Sequence, residues 1–360
     1  NVMGPGMVID FEHLTGEVGR LRAAGVSVTP DNLRISDRAV ICMPYHKLLD
    51  ELEEDRLGDA RFGSTRRGIG PVYGDKYLKK GIQMGELLKD DDYLRARLSF
   101  ILEWKNLFIQ NTYGKPPYTV DEMLGWLRTY GDPFKEYIHD VRCMLTRAQR
   151  AGENILFEAQ LGALRDIDYG IYPYTTSSSP LAAYAPIGSG APSIRLDDVI
   201  GIVKAYSTCV GEGPFVVETF GEEADRLREA GEEYGATTGR PRRVGPFDAV
   251  ASRYGVQVQG ATRLALTKLD VLSCLETIPV CIAYEIGGGT TRDFPFAPLL
   301  TGARPVLQRM PGWGTDVSGV RRWEDLPGEA QRYVEFAQDE MECRIDFVSV
   351  GPDRDAIIRR

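Results

Sequence analysis

Apolar residues recur along this chain with two different periods, and the alternation between them predicts its elements. After Asp10, the residues Phe11, Leu14, Val18 and Leu21 share one helical face, and the segment closes at Gly25. Residues 1–9 read as the end of a strand and its turn, and 39–43 as a strand. Residues 46–56 return to helical spacing, with Leu48, Leu49 and Leu52 inward. The stretch 92–150 is predicted to be mainly helical. Pro133 suits a first helical position there, and Phe134, Ile138, Val141 and Leu145 form a core stripe that runs to Gly152. Short strands are expected over 155–158, 200–206, 215–220, 263–266, 280–284, 306–310 and 345–348, and helices over 248–257 and 329–341. Strands that alternate with helices predict an α/β fold: a mainly parallel central sheet with helices on both faces and a helical insertion around 90–150. No repeat, low-complexity run or clear linker divides the chain, so residues 1–360 read as a single domain.

Composition narrows the function classes. The chain has 360 residues, 43% hydrophobic and 26% charged, enough for a sizeable core. A net charge of −9 argues against a nonspecific nucleic-acid binder, whose surface should be basic. No apolar run is long enough to span a bilayer, and no signal peptide is visible. The six cysteines (Cys42, Cys143, Cys209, Cys274, Cys281 and Cys343) show neither CxxC nor metal spacing. They read as buried free thiols of a reducing compartment, which predicts a cytoplasmic location. His13, His46 and His139 read as packing or surface residues, and no Ser/His/Asp or Cys/His set emerges.

Chemistry concentrates in glycine-, hydroxyl- and arginine-rich loops. In 235–243, Ala236, Thr237, Thr238 and Gly239 lead into Arg240, Arg242 and Arg243. Exposed amides followed by guanidinium forks suit carboxylate or phosphate. The strand over 263–266 ends in Thr267-Lys268-Leu269-Asp270. An Asp just past a strand can accept from the ring N–H and exocyclic amine of guanine, while the Lys stem lies along the base. Adenine offers no such donor pair. The loop 62–71, FGSTRRGIGP, is a second candidate anion site. The strand over 155–158 would deliver 159–170 to its carboxyl end, where parallel sheets bind ligands. The hydroxyl run 175–179 follows.

Taken together, GSTRRGIGPVYGDKYLKKGI, LFEAQLGALRDIDYGIYPYTTSS, VGEGPF, EYGATTGRPRR, LTKLDVL and VSVGPDR resemble the adenylosuccinate synthetase family, in the family's order and along the whole chain. The resemblance implies a sheet related to that of P-loop GTPases and GTP-dependent ligation of IMP and L-aspartate. Mg²⁺ is the implied cofactor, and a cytoplasmic homodimer the implied assembly. It places IMP at Thr65, Lys79, Gln160, Leu161, Thr176, Val210 and Arg240, with Lys79 reaching the partner's site. It places aspartate at Arg67, Ala236, Thr237, Thr238, Gly239, Arg240 and Arg242. It places GTP at Arg242, Lys268, Leu269, Asp270, Ser349, Val350 and Gly351.

The chain departs from the family in four respects. The family's GDEGKGK loop and HNAGHT segment do not occur here, so an N-terminally incomplete chain is expected. The catalytic Asp and His and the Mg²⁺ ligands would then lie outside these residues, and the chain as it stands would be inactive. FEAQLG stands for FEGAQG, so Leu161 holds the glutamine position and Gln160 lies one step earlier. Lys79 stands for an arginine and loses the bidentate fork. Pro246 replaces a tryptophan. Two alternatives remain on the residues alone: a noncatalytic nucleotide-binding relative, and a phage-type synthetase acting on a guanine nucleotide.

Overall fold

The computed structural model describes residues 1–235 and 239–360. These group into two compact units. The first holds 1–160, 176–180 and 184–195; the second holds 161–175, 181–183 and 196–360.

In the first unit, β1 (Val2–Met3), β3 (Arg34–Ser36) and β5 (Ile138–His139) form a parallel three-stranded sheet with β3 in the middle. A parallel pair, β2 (Val8–Ile9) and β4 (Val40–Ile41), lies beside it in sequence. Helix α1 (Phe11–Ala23) is capped by Asp10, which accepts from the His13 amide, and it buries Phe11, Leu14 and Val18. Helix α2 (Pro44–Leu57) is followed by α3 (Ile69–Leu78), α4 (Asp91–Leu107), α5 (Val120–Trp126), α6 (Val141–Arg150) and the short α7 (Ala185–Ser189). The helical insertion is present, but β5 interrupts it. Ile138 and His139 pair with Ile35 and Ser36 instead of continuing a helix from Pro133. Phe134, Ile138, Val141 and Leu145 are still buried, so the stripe is core although the helix is broken. Tertiary pairing outweighs local periodicity there.

The second unit is built on the sheet β15-β14-β10-β6, of which β6 (Ile200–Lys204), β10 (Arg263–Thr267) and β14 (Ile345–Ser349) run parallel. The edge strand β15 (Ile357–Arg359) is antiparallel to β14. Helix α10 (Gly328–Met341) sits on this sheet's core: Ala330, Tyr333, Val334 and Ala337 are fully buried with Leu264, Leu266, Ile345 and Val348. Each such aliphatic side chain contributes roughly 1.5–3 kcal/mol by leaving water. Parallel pairing does not extend over 277–311. There β11 (Thr277–Ile286) lies between β12 (Gly289–Thr291) and β13 (Arg304–Pro311), antiparallel to both, and only β9 (Phe247–Asp248) joins it in parallel. The tight turn at Gly287 and Gly288, both at positive φ, makes an antiparallel return the short path. Helices α8 (Glu222–Ala230) and α9 (Ala249–Gln259) complete the unit.

Two expected strands are absent. Residues 155–158 form no strand, and Leu156 is 94% exposed. Three apolar residues and a glutamate without a ladder partner cannot hold extended backbone by themselves. Residues 215–220 make turns instead, with the Glu218 amide donating to the Phe215 carbonyl. The antiparallel pair in that region is β7 (Ser207–Cys209) with β8 (Arg243–Gly245). Only two of the six free cysteines, Cys42 and Cys281, are buried, and Cys274 is exposed.

Candidate functional site

Three parallel strands of the second unit end side by side, and their carboxyl ends carry the chemistry. From β10 the chain passes to Lys268, which takes the left-handed backbone region at φ 60°, and then to Leu269 and Asp270. From β14 it passes through Ser349 to Val350 and Gly351. The Leu269 amide donates to the Ser349 carbonyl at 3.2 Å, which ties the two ends together. The Ser349 hydroxyl donates to the Gly351 carbonyl at 2.9 Å. Among the described residues, the Asp270 Oδ1 atom is buried and accepts no hydrogen bond. Burial pushes the Asp270 carboxyl above the usual aspartate range, against the pull of the residue's own backbone amide, the Lys268 charge and the Val271 amide. A buried acceptor left unmade costs about 1–3 kcal/mol, a cost that a ligand donor at Oδ1 would remove.

The Lys268 ammonium donates to the Gly231 carbonyl at 2.5 Å and lies 3.9 Å from Glu233. Glu233, fully shielded from solvent, also accepts from Lys204 at 2.7 Å, from the Tyr206 hydroxyl at 2.5 Å and from Arg242 at 2.7 Å. Burial alone would raise its carboxyl. The bonds from Lys204, Tyr206 and Arg242 outweigh that and hold it below the usual glutamate range. The same burial and the Glu233 contact push the Tyr206 hydroxyl well up.

The arginine-rich stretch starts from this hub. The Arg242 amide donates to the Glu233 carbonyl, Gly235 to Arg240, and Gly239 to Gly235, with Gly239 at φ 64°. Ala236, Thr237 and Thr238 lie outside the described residues. The three guanidiniums have three different carboxylates. Arg240 meets Glu212 at 3.1 Å, Arg242 meets Glu233, and Arg243 holds Glu218 at 2.8 Å together with the Gly213 carbonyl. Only the Arg240–Glu212 pair is substantially exposed, at 46% and 37%. Arg243 is thus held among protein acceptors, while Arg240 is the more solvent-accessible guanidinium of the three. Val210, half exposed, is placed by its carbonyl, which accepts from Arg165, and Arg165 also reaches the Cys209 sulfur at 2.9 Å.

In the first unit, the loop 62–68 leads into α3. Its amides largely face the protein. Phe62, Gly63 and Ser64 donate to Glu54, and Gly68 donates to Asp50. Thr65 and Arg67 are exposed on this loop. Arg66 is tied to Asp55 at 2.7 Å, whereas Arg67 makes no ion pair among the described residues. A Cβ added at Gly70 would stand 3.7 Å from the Ser177 hydroxyl, so the run 176–179 lies against the start of α3. Thr176 is in that run, with its hydroxyl 3.2 Å from that of Ser178. Lys79 ends α3 at φ 62° and is exposed. Gln160 and Leu161 are both exposed, and Leu161 takes φ 80°.

The periodic reading of α2 placed Leu48, Leu49 and Leu52 inward. The buried residues are instead Tyr45, His46, Asp50 and Glu54, while the leucines are only half-buried. His46 accepts from the Met43 amide at Nδ1, so its Nε2–H donates to Asp75 at 2.8 Å, and Lys105 meets the other Asp75 oxygen at 2.5 Å. Burial pushes the His46 pKa down, outweighing the hydrogen bond to Asp75 that favours the charged ring. The signal available in the sequence was the i, i+4 spacing of Asp50 and Glu54 directly before a glycine-rich loop. No group of three His, Cys, Asp or Glu side chains placed to hold a metal ion occurs among the described residues. No described helix is long and apolar enough to cross a membrane.

The family model for adenylosuccinate synthetase matches residues 1–358. Adenylosuccinate synthetase 2 of Pseudoalteromonas translucida is 46% identical over 361 positions, covering 100% of this chain and 84% of the relative. The synthetase of Halothermothrix orenii is 43% identical with the same coverage. Among solved structures, fully ligated adenylosuccinate synthetase from Plasmodium falciparum superposes with a TM-score of 0.91 at 31% identity, over 100% of this chain and 84% of that one. A cyanophage S-2L succinoaminodeoxyadenylate synthetase shares the fold at a TM-score of 0.55 and 17% identity, over 99% and 75%.

Proposed function

Since the chain belongs to the adenylosuccinate synthetase family, whose members are GTP-dependent ligases of purine nucleotide synthesis, we propose that its binding residues serve the joining of IMP to L-aspartate with release of GDP and phosphate. The γ-phosphoryl group of GTP passes to O6 of the hypoxanthine ring. The aspartate amine then attacks C6, the C6–O6 bond breaks, and phosphate leaves. The buried Asp270 Oδ1 without a protein donor carries this reading, because guanine supplies the donor it lacks. Lys268 and the 349–351 turn flank it, and Arg242 lies toward the ribose. Arg240 grips the aspartate carboxylate, with Ala236 to Gly239 around it and Arg67 in support. Thr65 and Thr176 hold the IMP phosphate, and Gln160, Leu161 and Val210 line the purine and ribose. These residues bind and orient; none is assigned a proton transfer, and no step is routed through Mg²⁺.

The family resemblance includes a homodimer in which Lys79 serves the partner's IMP. Exposed Tyr77, Leu78, Phe100 and Leu107 on α3 and α4 favour such a contact. An identity of 43–46% to adenylosuccinate synthetases favours IMP over a guanine nucleotide as acceptor. Calorimetric titration of the chain tests the proposal. GTP and IMP should each saturate one site, and ATP should not compete with GTP. Equal binding of ATP and GTP would remove it.

A further inference from the structure

We infer that Asp50 and Glu54, on one face of α2, are positioning residues for the phosphate of a purine nucleoside monophosphate held by the loop 62–68. The inference rests on the reading of Thr65 as a phosphate contact. Both carboxylates are buried, at 8% and 4% exposure. Neither is neutralised by an ion pair within salt-bridge distance among the described residues. Their partners are the loop itself. Glu54 accepts from the Phe62 amide at 3.1 Å on one oxygen, and from Gly63 at 3.1 Å and Ser64 at 3.0 Å on the other. Asp50 accepts from the Ser64 hydroxyl at 2.8 Å and the Gly68 amide at 2.8 Å. The Ser64 hydroxyl oxygen in turn accepts from the Arg66 amide at 3.1 Å.

These bonds select which amides face inward. Those of 62, 63, 64, 66 and 68 are engaged, whereas those of Thr65 and Arg67 have no acceptor among the described residues. Thr65 is thus pinned on both sides, by Ser64 and Arg66. Arg67 is pinned by Gly68 and by its own carbonyl, which accepts from the Cys42 thiol at 3.4 Å. Alternate amides, one hydroxyl and one guanidinium are left to face outward. The two acids hold the loop's inner donors with charge-assisted bonds, and the outer donors keep the spacing an anion needs. Two negative charges behind an anion loop would oppose a ligand. Their retention in a buried position is understandable if the geometry they impose outweighs that repulsion.

Calorimetry on the 360-residue chain with IMP, inosine and GTP tests this, because inosine lacks only the phosphate. Glu54→Gln replaces one acceptor oxygen with a donor that faces loop amides. It is expected to weaken IMP at least about tenfold while inosine and GTP change less than about twofold. Asp50→Asn should act in the same direction, and Ser64→Ala, which removes only the hydroxyl link, less strongly. Thr65→Ala is the control for the underlying reading. Loss of IMP preference in Thr65→Ala, with that preference retained in all three other variants, would overturn the positioning role and leave the phosphate contact standing. Wild type that binds IMP no better than inosine would overturn both. If melting curves show that Glu54→Gln and Asp50→Asn do not fold, Ser64→Ala decides: a reduced IMP-to-inosine ratio supports the proposal, and an unchanged ratio overturns it.

Discussion

Asp270 shows how much one side chain is asked to do. Its carboxylate offers two acceptors at the end of β10, and one is buried without a protein donor. Replacing it with Asn puts an amide donor opposite guanine's own donors. Xanthine has a carbonyl where guanine has its amine and can accept from that amide. Asp270→Asn is therefore expected to shift preference from GTP toward XTP by roughly 2–4 kcal/mol, a factor of about 30 to 1,000. Competition binding with the two nucleotides checks it, and an unchanged ratio removes the guanine assignment. The same atom predicts a pH dependence. Burial raises the Asp270 carboxyl, and only its ionised form accepts both guanine donors. Guanosine, which has no phosphate to titrate, should bind more weakly as pH falls through that raised value. Asp270→Asn should give a flat profile over the same range.

At the scale of elements, buried carboxylates hold segments in place with opposite pH signatures. Asp248 caps α9, accepting from the Ala251 amide at 3.0 Å and from the Tyr284 hydroxyl at 2.5 Å. Burial pushes its carboxyl up to about 6. The folded chain keeps a proton that the unfolded chain has already lost, so this group costs stability as pH rises from the usual aspartate range to about 6. Asn caps helices equally well and carries no charge. Asp248→Asn is expected to remove that slope and gain on the order of 2 kcal/mol at neutral pH, read from thermal melts at acidic and neutral pH. Glu233 has the reverse sign. Its carboxyl is held down by Lys204, Tyr206 and Arg242, so its stabilisation is present above the usual glutamate range and is lost as pH falls through the lower folded value. Glu233→Gln leaves Lys204 and Arg242 without their counter-charge. It should cost on the order of 3 kcal/mol, measured by denaturant unfolding. It should also weaken guanosine, because Lys268 loses a neighbour that orients it. Unchanged guanosine binding would separate Glu233 from the nucleotide site.

At the scale of the whole molecule, the exposed apolar residues of α3 and α4 bear on assembly. Tyr77 is 77% and Leu78 59% exposed at the end of α3, and Phe100 is 56% exposed on α4. Lys80 stacks on Trp104 with its ammonium 4.0 Å from the ring centroid. Leu78→Asp puts a charge where the proposed dimer would be dry, without touching the core. Sedimentation is expected to show a dimer for wild type and a monomer for the variant, with the variant's Tm no longer dependent on concentration. A wild-type monomer would remove both the dimer and the role of Lys79 in a partner's site.

Much of this protein was legible from local chemistry. Asp10 caps the helix its position predicts, and α9, β10, β14 and α10 lie within a residue or two of where the sequence places them. The link from β10 to Lys268 and Asp270 was legible too, since a strand followed by a four-residue turn is a local object. Local signals failed wherever a segment's state depended on a distant partner. Residues 155–158 read as a strand but have no strand to pair with, and 138–139 read as helix but were taken by β3. Polar burial was the least legible feature. Asp50, Glu54 and Glu233 look like ordinary surface acids in the sequence. Each is buried because donors brought by the fold, the loop amides for the first two and Lys204, Tyr206 and Arg242 for the third, replace the water it loses. Hydrophobic periodicity reports how a residue meets water, whereas the burial of a charge is decided by which hydrogen-bond partners the tertiary fold sets against it.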